Sequence, residues 1–252
     1  MRRPYTEALS AMLYRFLLLI FSTIFILSGC TSKAPSAVSV KGMTWQQALH
    51  IRLKEYEPYS RQQLTPDFAK VGLPYAPKEL AFIIFKDAKV FDIYARNRDR
   101  DDWRFVKQYR IYAASGGPGP KLTAGDHQVP EGVYSIVALN PRSRFDLSMQ
   151  LNYPNQFDRQ EAMATHRVDL GGDIFIHGDA LSVGCIALGN AAIQQIFPLV
   201  YAVGEAHVIV VIAPDDLRTK APLVSNERLQ WLPVLYLRLK QELKQFPVAQ
   251  TS

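Results

Sequence analysis

Hydrophobic and polar residues alternate along the middle of the chain, from Leu80 onward. A period of two is typical of β-strands that bury one face. It predicts strands at residues 81–85, 89–95, 103–111, 132–139 and 145–153, and a continuous apolar run predicts an interior strand at 207–213. The alternation is clearest from Phe145 to Tyr153, where every second residue is apolar and those between are polar. One face of that strand is expected to be buried and the other hydrated.

Helical signals precede this region. Thr44 and Gln47 have the spacing of a capping box and predict a helix that runs to about Tyr56 and ends before Pro58. A second short helix is predicted at Thr65-Pro66, because proline suits the first helical position. The expected role of both helices is to cover one side of the domain that follows.

Two further helices are predicted near the end of the chain. Asn190 is expected to cap the first of them, with Pro198 bending or shortening it and Gly204 ending it. The second carries an apolar stripe from Leu232 to Leu243 at helical spacing. We expect this stripe to pack on the domain, and a helix on a membrane surface is the alternative. Together the elements predict a mainly β fold with flanking helices, of the α+β class.

The first thirty residues form a separate segment. Basic residues precede an apolar run at 16–26 that is too short to span a bilayer, which predicts a signal peptide at 1–29. Leu-Ser-Gly-Cys30 resembles the bacterial lipobox, so Cys30 is the expected lipidation site, and an ordinary secretory signal is the alternative. Residues 30–43 then form a tether, and Thr31 indicates the outer membrane, so that the protein faces the periplasm.

The chain has 252 residues, 48% of them hydrophobic, which suffices for one sizeable core with extensions. The net charge is +6, or +4 (26 basic and 22 acidic residues) without the first 29 residues, which suits an anionic polymer but is equally the default of a solvated surface. No basic run is interleaved with aromatic residues, so nucleic acid is not an expected partner. We predict a signal peptide at 1–29, a lipidated cysteine and tether at 30–43, a helical extension at 44–77, the principal domain at 78–213 and a second helical extension at 214–252.

Candidate chemistry lies at His177 and Cys185, eight positions apart across a glycine-bearing turn. Three apolar residues predict a short buried strand that delivers His177, and Gly178 lets the chain turn. A thiol is a useful nucleophile as thiolate, which a neighbouring imidazole generates by taking its proton. Backbone amides around Gly184 and Cys185 are expected to face a developing oxyanion. The alternative interpretation is a buried structural cysteine and a structural histidine.

The cysteine count supports the chemical interpretation. The chain has two cysteines, so lipidation of Cys30 leaves Cys185 without an intramolecular disulfide partner in an oxidising compartment. A free thiol there is easier to understand if it has a function. The count also argues against a structural zinc site, which needs three or four Cys or His ligands at short spacing.

A family resemblance follows from these motifs. His-Gly, a short gap and Ser-x-Gly-Cys-Ile at 177–186 resemble the signature of the L,D-transpeptidase catalytic domain, the YkuD-like family of cell-wall enzymes. Blocks at 115–126, 129–134 and 152–158 resemble its YafK-type branch, so the resemblance extends over the predicted principal domain. Most members carry an arginine two residues after the cysteine, where this chain and the YafK-type branch have Ala187. Such an arginine would help to bind an acidic stem peptide, so its absence implies a different substrate geometry.

The resemblance implies a covalent mechanism with no cofactor and no metal. His177 takes the proton of Cys185, whose thiolate attacks a carbonyl at the L-centre of a diaminopimelate-containing stem peptide and forms a thioester. Ser182 either orients this pair or only shapes the turn. Besides Cys185 and His177, the expected catalytic residues are Ser182 and Gly184, and the expected substrate-binding residues are Lys121, Tyr153, Asn155 and Gly178.

Three functions are compatible with these motifs. A transpeptidase would build cross-links or attach a protein to the wall. An L,D-endopeptidase would hydrolyse such bonds, including links between lipoprotein and peptidoglycan, and the YafK-type blocks with Ala187 favour it slightly. An inactive wall-binding lipoprotein would leave every phenotype unchanged on Cys185→Ala, and the intact His/Cys pair argues against it. The expected partners are peptidoglycan stem peptides, a peptidoglycan-attached lipoprotein and, through the lipid anchor, the membrane.

Overall fold

A computed structural model describes residues 34–35, 37–98, 101–222 and 229–249. This part of the chain contains four α-helices and nine strands. In chain order they are α1 (Trp45–Lys70), β1 (Glu79–Phe85), β2 (Val90–Arg96), β3 (Arg104–Arg110), β4 (Ala113–Ala114), β5 (Gly132–Asn140), β6 (Ser148–Leu151), α2 (Gln156–Ala164), β7 (Phe175–His177), β8 (Ile186–Ala187), α3 (Asn190–Val203), β9 (Val208–Ala213) and α4 (Leu232–Leu243).

The strands form one sheet in the order β3-β2-β1-β9-β5-β6-β7-β8-β4. β9 lies between β1, which it joins in parallel, and β5, which it joins antiparallel. The predicted interior strand is therefore confirmed, because a strand paired on both edges and covered on both faces has no hydrated side. The mainly β architecture with flanking helices, of the α+β class, is also confirmed.

Both faces of the central strands are covered. On one side Leu80, Phe82 and Ile84 of β1 belong to a core that includes residues of α1 and α3. On the other side the alternate residues of β1 join a second core with the apolar stripe of α4. This stripe consists of Leu232, Leu235, Tyr236, Leu239 and Leu243, all buried. The prediction that α4 packs on the domain is confirmed.

Helix α1 corrects the prediction of two short helices. It begins at the predicted capping box, in which the side chains of Thr44 and Gln47 each accept a hydrogen bond from the backbone N–H of the other residue. It then continues through Pro58 and Pro66 to Lys70. Proline removes one helical hydrogen bond to the carbonyl four residues earlier. Both prolines and the residues at 54 and 62 are exposed, so the freed carbonyls lie on the hydrated side of the helix. Water can satisfy them, and the buried face stays continuous.

Helix α3 differs from the prediction at Asn190, the expected cap, and at Pro198, the expected bend or end. Gly189, at φ 76°, is the residue before the helix, and Asn190 is its first residue rather than its cap. The Asn190 side chain accepts a hydrogen bond from the Asp179 N–H at 2.7 Å instead. The helix continues through Pro198 to Val203 and stops at Gly204, as expected. Packing on α1 holds it there, with Ser60 Oγ of α1 donating to the carbonyl of Gln195.

The segment predicted as the strand 145–153 contains only the four-residue β6. Its apolar positions are buried as the alternation predicts, apart from Phe145, which is half-buried. Asp146, at φ 70°, interrupts the extended backbone before the strand. Helix α2 follows and was not predicted, although Asn155 and Asp158 form a capping box at its start.

Helix α4 also holds the glycine-rich segment 115–126 through a buried network. Tyr236 Oη donates to Glu131 at 3.0 Å, and the same carboxylate accepts from the Gly119 N–H at 2.7 Å. Lys86 Nζ donates to the carbonyls of Gly119 and Val129 at 2.7 and 2.8 Å. Because these groups are buried, the network fixes one conformation of this segment.

Candidate active site

Two adjacent strands carry the candidate catalytic residues on one face of the sheet. β7 and β8 run parallel, with His177 opposite Ala187 and Ile176 opposite Ile186. Cys185 precedes β8 by one residue, and side chains alternate along a strand, so it lies diagonally across from His177 on the same face. The sheet thus brings together the two residues that the sequence separates by eight positions.

The imidazole of His177 is held on one edge and one face. Nδ1 lies 2.5 Å from the carbonyl oxygen of Gly178, to which its N–H donates. The ring stacks on Phe145 with 4.5 Å between centroids and 28° between planes. The contact at Nδ1 assigns the tautomer and leaves the lone pair of Nε2 as the base. Burial lowers the pKa of His177, opposed by the bond to Gly178, so the neutral form persists to lower pH.

The thiol of Cys185 is partly buried and donates to the carbonyl oxygen of Asp173 at 3.7 Å. Burial raises the pKa of this thiol, and a hydrogen bond from the backbone of Phe175 opposes that effect. Both shifts favour a neutral thiol beside a neutral imidazole. A resting thiolate–imidazolium pair is therefore not favoured.

Serine hydroxyl groups brace the turn that precedes Cys185. Ser182 Oγ donates to the carbonyl of Cys185 at 2.5 Å and accepts from the Ser115 N–H at 3.4 Å. These contacts support the interpretation in which Ser182 shapes the turn. Ser115 Oγ accepts from the Gly184 N–H at 2.5 Å. The expectation that the Gly184 amide faces an oxyanion is thus corrected, because that donor is already engaged.

Gly178 has a packing role rather than the substrate-binding role expected of it. It is buried, and a Cβ built on it would meet Phe145 O at 2.6 Å and Asn190 Oδ1 at 2.7 Å. Its N–H donates to the carbonyl of Leu147 at 3.1 Å. Only glycine fits where the end of β7 passes behind the catalytic base.

Two adjoining grooves of about 490 and 460 Å³ open at His177 and Cys185. Arg144, Phe145 and Val183 line both of them. Arg142, Ser148 and Asp173 also line the larger groove. These residues were not among the predicted site residues. The sequence signalled Ser148 by its place on the polar face of a predicted strand, whereas isolated arginines in a loop belong to no pattern.

Helix α1 braces the loop that bears these arginines. Trp45 Nε1 donates to the carbonyl of Leu139 at 3.0 Å, and Arg52 Nε donates to the carbonyl of Pro141 at 3.3 Å. Tyr56 Oη donates to Asp146 Oδ1 at 3.3 Å. Helix α1 therefore holds the end of β5 and both ends of the loop that follows it, which positions Phe145 against His177.

Lys121 does not present a free cation to a substrate carboxylate, contrary to expectation. Its Nζ donates to Asp126 Oδ1 at 2.6 Å and to the carbonyl of Thr123 at 2.8 Å. The side chain is 5% exposed. A buried ammonium that already has a carboxylate partner stabilises the glycine-rich segment instead.

Tyr153 and Asn155 also have structural roles, and neither lines the two grooves. Tyr153 is buried, and its Oη donates to the carbonyl of Leu170 at 3.1 Å. Asn155 caps helix α2, with Oδ1 accepting from the Asp158 N–H at 3.0 Å. Its Nδ2 donates to the carbonyl of Val133 at 3.0 Å. Both expectations of substrate contact are corrected.

Other expected features lie outside the described residues, among them Cys30 and the signal peptide. Within the described ranges, no group of three or more His, Cys, Asp or Glu residues is placed to hold a metal ion. The helices in those ranges are all too short or too polar to cross a membrane.

Residues 81–212 match the family model of the L,D-transpeptidase catalytic domain, named YkuD. The chain belongs to this family. The match includes both strands of the candidate site and covers more than half of the sequence.

Individual relatives agree with this assignment. Two curated proteins named "Putative L,D-transpeptidase YafK", from Escherichia coli strain K12 and from Escherichia coli O157:H7, are each 33% identical over 156 residues, or 59% of this chain and 60% of theirs. The chain thus spans about three fifths of the length of these relatives. The likeness supports the YafK-type branch of the YkuD family.

Similar solved structures come from two other bacteria. Bd1075 of Bdellovibrio bacteriovorus is 19% identical, with a TM-score of 0.40 over 68% of this chain and 56% of that one. The helical cell shape determining protein Pgp2 of Campylobacter jejuni is 20% identical, with a TM-score of 0.45 over 70% of this chain and 62% of that one.

Proposed function

We propose that this protein is a periplasmic peptidoglycan L,D-transpeptidase with Cys185 as its nucleophile and His177 as its base. The observation that carries the proposal is the common face of β7 and β8, which opens both residues to the same two grooves. The tautomer of His177 supports it, because the bond at Nδ1 leaves Nε2 free to take a proton. Membership of the YkuD family supplies the substrate class.

The reaction proceeds through a thioester. His177 Nε2 accepts the thiol proton while Sγ of Cys185 attacks the carbonyl carbon at the L-centre of the stem peptide. The tetrahedral intermediate collapses, the C–N bond breaks, and the leaving amine takes the proton from Nε2. An amine of a second stem then attacks the thioester, gives its proton to Nε2 and receives the acyl group. The proton returns to Sγ as the cross-linked product leaves.

Location is part of the same proposal. Lipidation of Cys30 would anchor the protein at the outer membrane and place the catalytic face in the periplasm, where peptidoglycan lies. The lipobox at 27–30 and the tether that follows it support this placement. The tether would separate the domain from the membrane.

The test uses the full chain, purified in detergent and incubated with sacculi that carry attached lipoprotein. Muropeptides are followed by mass spectrometry for the wild type, Cys185→Ala and Cys30→Ala. We expect new L,D cross-links with the wild type and with Cys30→Ala, which keeps the nucleophile, and none with Cys185→Ala.

Other outcomes change the conclusion in defined ways. Release of lipoprotein, or loss of existing links, in a Cys185-dependent manner would make the protein a hydrolase of the same bonds. An identical product pattern with the wild type and Cys185→Ala would overturn the proposal in favour of a wall-binding protein.

A further inference from the structure

A guanidinium group lies next to the ring that supports the catalytic base. Cζ of Arg144 is 4.6 Å from the ring centroid of Phe145, which itself stacks on His177. Arg144 is exposed and lines both grooves. The three side chains thus form a stack of cation, phenyl ring and imidazole along the groove wall.

Arg144 has no carboxylate partner in the part of the chain that the structure describes, where every recorded ion pair joins other residues. Burial dominates both pKa shifts at the site, lowering the pKa of His177 and raising that of Cys185, and the positive charge of Arg144 adds a smaller lowering contribution to each. The guanidinium of an arginine is planar and presents its N–H donors as a fork. That geometry matches a carboxylate.

Strand β8 supplies no such charge. Ala187 lies directly opposite His177 and is fully buried, so this position of β8 contributes only a methyl group. The cation at this site comes instead from the loop before β6. Because helix α1 holds both ends of that loop, the guanidinium is attached to a fixed wall.

The reaction geometry says which part of a substrate meets this cation. The leaving amine takes its proton from His177 Nε2, so the leaving residue lies on the imidazole side of the scissile carbonyl. Asp173 lines the larger groove at the Cys185 end, where its carbonyl accepts from the thiol. A carboxylate on the substrate is repelled at that end and attracted at the other.

We propose that Arg144 determines specificity by binding the free carboxylate of the residue on the leaving side of the scissile bond. The inference rests on the proposed function, whose acylation step it concerns.

The test compares two stem tetrapeptides that contain diaminopimelate and end in D-alanine, one as the free acid and one as the C-terminal amide. Release of the last residue by the full chain gives kcat/KM for each. The wild type is expected to prefer the acid roughly tenfold or more, the range of a charge-assisted hydrogen bond. Arg144→Gln is expected to abolish the preference, and Arg144→Lys to restore part of it. Arg110→Gln, an exposed arginine at the end of β3, is the matched control and should keep it.

Binding of both peptides to Cys185→Ala, with and without Arg144→Gln, is measured by calorimetry and does not depend on turnover. If the wild type releases nothing from either peptide, the proposed function fails, while the binding preference still decides the present inference. A preference that survives Arg144→Gln overturns it. An equal loss for acid and amide also overturns it, because Arg144 would then act only through Phe145 on His177.

Discussion

Replacing Gly178 with alanine tests the packing behind the catalytic base. The added Cβ would lie 2.6 Å from Phe145 O and 2.7 Å from Asn190 Oδ1, and 3.1 Å from Ile193 Cγ2. The first of these atoms belongs to the backbone. The second already accepts from the Asp179 N–H at 2.7 Å, so neither can move without breaking something else. The methyl group fits only if the loop that carries Phe145 shifts.

The size of the effect follows from two opposing contributions. Overpacking a rigid site costs about 1–3 kcal/mol, whereas replacing glycine by alanine stabilises by about 0.4–1 kcal/mol through the unfolded chain. The φ of Gly178 is not positive, so no backbone strain is added. We expect Gly178→Ala to lower the free energy of unfolding by about 1–2 kcal/mol. Because Phe145 stacks on His177, kcat/KM should fall further, by roughly tenfold or more.

The assay pairs urea unfolding with turnover of a stem peptide, and Gly172→Ala is the matched control. Gly172 also lacks a positive φ, and a Cβ there meets no atom within 4 Å. That variant should be as active as the wild type and as stable or slightly more so. If Gly178→Ala behaves like Gly172→Ala in both measurements, the packing behind His177 is not as described. If it is less stable yet fully active, the coupling through Phe145 is refuted.

Three further predictions concern buried polar groups. Burial raises the pKa of Asp92 to about 6, above its unfolded value, so ionisation of this carboxyl destabilises the folded protein as pH rises. Asp92→Asn should therefore raise the free energy of unfolding by up to about 3 kcal/mol at pH 8, but not at pH 4, as measured by urea titration. Since burial lowers the pKa of His177, the pH profile of kcat/KM should fall on its acidic side with a midpoint below about pH 6.5. A midpoint at or above that pH would contradict the assignment of His177 as a buried base. Tyr236→Phe removes the donor to buried Glu131 and should cost about 1–3 kcal/mol in thermal unfolding, whereas the exposed Tyr201→Phe should cost almost nothing; equal losses would count against the network.

The spacing of apolar residues predicted the parts of the fold in which a residue's position within one helix or strand decides whether it is buried. The stripe of α4 and the burial of the apolar positions from Leu147 to Tyr153 were predicted correctly, since each residue's face follows from its position in the repeat, whereas Ser148 on the polar face is buried and not hydrated. The prediction of two helices before β1 was wrong, because the carbonyls freed by Pro58 and Pro66 lie on the hydrated side of one continuous helix. Helix α2 is short, and its one signal, the Asn155 capping box, was not used.

The candidate site was likewise predicted from the sequence only in part. His177 and Cys185 were predicted from the resemblance of their motifs to a family signature, and the sheet places both on one face. Lys121 was expected to bind a substrate carboxylate because a lysine in a loop is usually exposed and unpaired. In the structure it pairs with Asp126, five residues later, and that contact depends on a loop conformation that periodicity does not encode. Arg144 was not predicted, because nothing in the sequence near it marks it as a site residue. It becomes part of the site only when the sheet brings its loop against β7.

The attachment of helix α1 to the loop at 139–146 has a practical consequence for experiments on this protein. The family domain spans residues 81–212, yet the wall of the grooves at His177 and Cys185 is held by a helix that ends at Lys70. A fragment trimmed to the family boundaries would keep the thiol and the imidazole while releasing the loop that orients them. Such a fragment is expected to bind poorly and to yield misleading negatives in inhibitor screens. The smallest unit worth expressing therefore starts before Thr44.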